Sequence, residues 1–208
     1  KKTNNLYEAF TQASDQCDSG MYHGIAEEYM HQASIQYDPE VFVTTIIPKA
    51  CDPDSTRTNI PVAMKGHCYH GLGHAFMFIT DNELNSALRY CDYLPKDYIE
   101  SCYTGTFMEN IQGKQVGRTT NHYSKYAYNL DQPDFPCNTL DEKYKELCYK
   151  YKGVSNVLFT QVDVKKSMTD CLRVDHVYQE NCFWGVGNNL PGPHISSRGA
   201  GEKCADAL

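Results

Sequence analysis

CDYLPKDYIESCYTGTFME, residues 91–109, sets the pattern of the chain. It carries Cys91, Leu94, Tyr98, Cys102, Tyr103 and Gly105 in a fixed frame. The frame returns as Cys137, Leu140, Tyr144, Cys148 and Tyr149, with Tyr151 where the glycine would fall. It returns again as Cys171, Val174, Tyr178, Cys182, Phe183 and Gly185. A longer copy joins Cys51 to Cys68 ahead of Tyr69-His70-Gly71, and the N-terminal copy keeps only Cys17, Gly20 and His23. The motif cysteines 17, 68, 102, 148 and 182 stand 51, 34, 46 and 34 residues apart. Such steps belong to helical-hairpin repeats with inserts in two of them.

The 208 residues suit one domain or a short repeat array with a core of its own. Ten cysteines is heavy usage, and all ten fall on the repeat grid. None forms the CxxC pair of a zinc ribbon or the CxxCH of a c-type haem. Disulfides in an oxidising, extracytoplasmic compartment are therefore expected: secreted, periplasmic or cell-surface. No signal peptide is visible, so Lys1 reads as a processed or truncated start. No apolar run approaches the roughly 20 residues of a membrane helix. A net charge of −7 with scattered basic residues argues against nucleic acid as a partner.

Apolar spacing predicts helices over 5–37 (broken near Cys17), 40–47, 62–79, 81–91, 97–111, 140–151, 157–171 and 175–186. Asp81 is the expected N-cap of its helix. VFVTTII, residues 41–47, is the best strand candidate. Residues 112–136 form an irregular insert rich in Gly, Asn, Thr and Tyr, with a short helix expected at 122–130. The fold expected is all-α: one helical-repeat domain over 1–208, disulfide-stapled into a curved or closed α-solenoid. The expected pairs are Cys51–Cys68, Cys91–Cys102, Cys137–Cys148 and Cys171–Cys182, each closing a short loop between neighbouring helices. Cys17 and Cys204 are left to join each other or to pair outside the chain.

The units, with Ala87-Leu88-Arg89-Tyr90-Cys91-Asp92 before a second cysteine, resemble the secreted cysteine-rich tetratricopeptide-like repeat proteins over roughly residues 80–190. The resemblance implies an α-solenoid with a disulfide in each repeat and an extracellular binding scaffold.

Each helical residue turns the chain by about 100°. The residues two and six after a motif cysteine therefore point away from its stripe. They are Ser19/His23, His70/His74, Thr104/Met108, Lys150/Val154 and Trp184/Asn188. In a curved array these sides are expected to converge. His70 and His74, four apart on HCYHGLGHAFM, place both imidazoles on one helix face, where they can chelate one ion. His23 with Glu27 is a second contribution, Met108 with Glu109 a third, and Asn188-Asn189 a fourth. With the cysteines oxidised, imidazole and carboxylate suit zinc or iron, while imidazole and thioether suit copper or haem. Packing explains Tyr98, Tyr144 and Tyr178, and close helix crossing explains Gly20, Gly71, Gly105 and Gly185. Tyr123, Tyr126 and Tyr128 are candidates for a protein partner or self-assembly.

The leading expectation is a secreted or surface scaffold holding a metal ion or haem between repeats. A metal-dependent extracytoplasmic enzyme on the same His/Glu set is the alternative, with an accessory subunit of a surface assembly or filament as a third. No nucleophile motif, HExxH or phosphate loop is present.

Overall fold

A computed structural model describes residues 24–25, 28–32, 41, 44, 51, 62–112 and 124–189. Among them every regular element is helical. The chain divides into two compact units, Lys1–Lys125 and Tyr126–Leu208.

In the first unit, α1 (Val62–Ile79) is followed by α2 (Leu84–Cys91), a 3-10 turn (Lys96–Tyr98) and α3 (Ile99–Gln112). Leu84, Ala87, Leu88 and Cys91 line the buried stripe of α2 at helical spacing. In the second unit the order is a 3-10 turn (Cys137–Thr139), α4 (Glu142–Phe159), α5 (Val164–Cys171), another 3-10 turn (His176–Tyr178) and α6 (Gln179–Asn188).

The units carry the same features eighty residues apart. Cys91–Cys102 ties the end of α2 to α3, and Cys171–Cys182 ties the end of α5 to α6. Cys51–Cys68 and Cys137–Cys148 anchor the second turns of α1 and α4. Tyr69 stacks on Tyr98 with ring centroids 4.6 Å apart, and Tyr149 stacks on Tyr178 at 4.5 Å. Thr80 and Thr160 end their long helices alike, each Oγ1 donating to the carbonyl four residues back at 2.8 Å. The next two residues are left-handed in both: Asp81 and Asn82 at φ 52° and 62°, Gln161 and Val162 at φ 57° and 69°. The Asn82 N–H then bonds the Met77 carbonyl and the Val162 N–H bonds that of Val157, the six-to-one closure of a Schellman cap. Asp81 therefore belongs to the end of α1 and does not cap α2, whose N-cap position is Glu83.

Glycine lets the long helices cross. A Cβ on Gly73 would land on the Cys102 carbonyl oxygen, and one on Gly105 would land on that of His70. Gly153 stands in the same relation to Cys182, and Gly185 to Lys150. Backbone thus meets backbone at each crossing. Gly105 and Gly185 were expected in this role. Their partners are Gly73 and Gly153.

Three other expectations change. Val41 is helical and Thr44 lies in a π turn, so neither is in a strand; the remainder of 41–47 lies outside the described residues. No helix forms over 124–130, where the chain is turns with one isolated bridge, Asn129 to Gln132. The 126–136 stretch is held from below by Lys152, 1% exposed, whose ammonium donates to the Asn129 carbonyl at 2.6 Å. Tyr128 is not an exposed aromatic. It is fully buried, with its hydroxyl donating to the Cys148 carbonyl at 3.0 Å. Tyr126 is half-buried and stacks on Phe135, while Tyr123 lies outside the described residues. No helix among the described residues is long and apolar enough to cross a membrane.

Candidate functional site

The crossing of α1 and α3 creates the site. Because Gly73 and Gly105 let the backbones touch, the side chains next to the glycines and one turn from them come within hydrogen-bond reach. His70 and Thr104 meet first: His70 Nδ1 lies 2.9 Å from Thr104 Oγ1. His74 and Glu109 meet at the next level, with His74 Nδ1 2.8 Å from Glu109 Oε2. The two rings face each other, with Nε2 to Nε2 at 3.2 Å. His74 is 1% exposed, His70 is half-buried, and the Glu109 side chain is 12% exposed.

The partners of the two Nδ1 atoms are both oxygens that can accept a hydrogen bond. Thr104 Oγ1 donates to the Ser101 carbonyl at 2.7 Å, an oxygen that can only accept. Its hydroxyl proton is thus committed, and Thr104 accepts from His70 Nδ1–H. The Glu109 carboxylate accepts from His74 Nδ1–H for the same reason. In a neutral imidazole with Nδ1 protonated, Nε2 carries a lone pair. With both rings in that tautomer two lone pairs face each other at 3.2 Å, while a proton on either Nε2 makes the same contact a hydrogen bond between the rings. The two lone pairs repel unless a positive centre lies where both can bind it.

The spacing suits a metal ion. Two nitrogens 3.2 Å apart, each about 2.0–2.1 Å from one ion, subtend an angle of about 100° there. The outer contacts also suit it, since a metal-bound imidazole generally donates its other N–H to a carboxylate or another oxygen. Glu109 and Thr104 fill that place here.

Of the expected ligand set, the structure joins His70 and His74. Glu109 enters as the partner of His74 Nδ1, on the far side of that ring from His70. Met108 is half-buried one turn after Thr104 and takes no hydrogen bond to either imidazole. His23 and Glu27 lie outside the described residues. Asn188 and Asn189 belong to the second unit, where Asn189 donates to the Gly185 carbonyl at 3.1 Å. Among the described residues no group of three or more His, Cys, Asp or Glu side chains is arranged to hold a metal ion. His31 packs edge-on against Phe78 with centroids 6.2 Å apart, and exposed His176 pairs with Asp175.

The second unit shows what the frame looks like without this arrangement. At the places of His70, His74, Thr104 and Glu109 it holds Lys150, Val154, Trp184 and Asn189. The Lys150 ammonium lies over the Trp184 ring, 5.1 Å from its centroid. Cysteines, crossing glycines, stacked tyrosines and the helix-ending threonine are shared, while all four site residues differ. None of the four is therefore needed to build the frame. Thr104 was marked in the sequence only by its place two after Cys102, the place His70 holds after Cys68.

No protein-family model, no curated protein and no solved structure matches the chain.

Proposed function

We propose that this protein is an extracytoplasmic helical-repeat scaffold that holds a divalent transition-metal ion on His70 and His74. The observation that carries it is the pair of Nε2 atoms 3.2 Å apart, with each ring's Nδ1 held by an oxygen of α3. Two neutral imidazoles suit zinc, copper(II) or nickel by ligand softness. The close, bent approach disfavours the opposed pair of imidazoles that grips a haem from its two faces. Four disulfides are consistent with the extracytoplasmic placement. Glu109 is engaged by His74, so it is not placed as a free general base, and the scaffold reading is preferred to the enzyme.

Calorimetric titration of the metal-stripped chain with Zn²⁺, Cu²⁺ and Ni²⁺ tests this. One saturable site is expected, absent in His70→Ala and in His74→Ala and kept in His176→Ala. Glu109→Gln keeps a weaker acceptor, and loss of an outer-sphere partner typically weakens metal binding by about 10–100-fold. No binding by the native chain, or equal binding by all variants, would leave a proton shared between the rings as the positive centre and end the proposal.

A further inference from the structure

Where the first unit packs two rings, the second buries two polar side chains. Phe76 on α1 and Tyr90 on α2 meet edge to face with centroids 5.6 Å apart. Eighty residues on, those places hold Asn156 on α4 and Asp170 on α5. Asn156 is 0% exposed and Asp170 8%.

Asn156 turns its Nδ2 toward both sulfurs of the Cys171–Cys182 bridge, at 3.7 and 3.8 Å. Its Oδ1 has no hydrogen-bond partner. Asp170 accepts from Arg173 on Oδ1 at 3.2 Å, and its Oδ2 has none either. Both orphans are acceptors, so neither satisfies the other. A buried oxygen stripped of water and given nothing in return is costly, and such groups are rare in folded proteins. Two short side chains also fill less room than the rings they replace. A small donor offering two hydrogens answers both facts.

We propose that one water molecule is built into the second unit between α4 and α5, donating one hydrogen to Asn156 Oδ1 and the other to Asp170 Oδ2. Buried waters typically serve polar groups of this kind with two to four hydrogen bonds. The site is a polar replacement for the ring contact that closes the first unit.

A high-resolution crystal structure of the full chain tests it, with water-to-protein cross-relaxation by NMR as the solution measurement. The expected result is one density peak within about 2.7–3.2 Å of both oxygens, and a long-lived water signal at the neighbouring protons. Asn156→Leu removes one acceptor and is expected to abolish both signals while the Cys171–Cys182 bridge remains. A dry contact, an amide turned so that Asn156 Nδ2 donates directly to Asp170, or a metal ion in place of water would each overturn the proposal. So would a water signal that survives Asn156→Leu.

Discussion

Val162 sits in the left-handed region at φ 69°, where a β-branched side chain crowds its own backbone. The matching residue of the first unit is Asn82, a type that tolerates this conformation. Val162→Asn is therefore expected to stabilise the protein by about 1 kcal/mol, read as a shift of the denaturant midpoint at constant slope. The opposite sign is expected at Gly105. A methyl there strikes the His70 carbonyl, and backbone cannot rotate aside as a side chain can. Gly105→Ala should cost about 1–3 kcal/mol and weaken the site, because it pushes apart the helices that bring Thr104 to His70. An unchanged unfolding midpoint would remove the crossing from this account. The meeting of His70 and His74 was legible in the sequence, since two residues four apart on a helix share a face whatever surrounds them. The roles of Thr104 and Glu109 were not, because they depend on which helices cross and at what height. Gly73, the residue that sets that height, carries no sequence mark distinguishing it from Gly71.

At the scale of elements, hydrophobic spacing located α1, α2, α3 and α6 to within a few residues, but it placed a break at 152–156 where α4 runs on to Phe159, and it began α5 at 157 where the structure begins it at Val164. The alternating steps of 34 and 46 between motif cysteines already held the eighty-residue period. The 126–136 stretch was illegible for a physical reason. Its order comes from α4, through Lys152, Tyr128 and Tyr149, and none of these contacts is local in sequence. Those phenols also give the protein an alkaline limit. Burial raises Tyr128 well above its ordinary value, with the charge of Tyr151 adding to it. Burial and then the hydrogen bond to Asp134 raise Tyr149. Burial and then the hydrogen bond to Asp92 raise Tyr103. A group whose folded pKa is raised contributes stability that is complete below its unfolded value, here 10.0, and lost as the pH climbs above it. Stability should therefore hold up to about pH 10 and then decline. Ultraviolet titration should show these tyrosines ionising only with unfolding. Free titration of all tyrosines near their ordinary value in the native state would contradict the packing of the insert.

At the largest scale, two units share one frame of disulfides, stacked tyrosines and glycine crossings, and among the described residues only the first holds the facing imidazoles. The cysteine grid made the all-helical, cross-linked character readable, because disulfide loops and helical spacing are local. The proposed function rests on four side chains that differ between the two units. X-ray absorption at the metal edge of the zinc-loaded chain tests the central claim most directly. The account predicts imidazole nitrogen scattering at about 2.0–2.1 Å in the native protein, lost in the His70→Ala/His74→Ala double variant. Bound zinc without imidazole in its coordination, or a spectrum unchanged by the double variant, would contradict it.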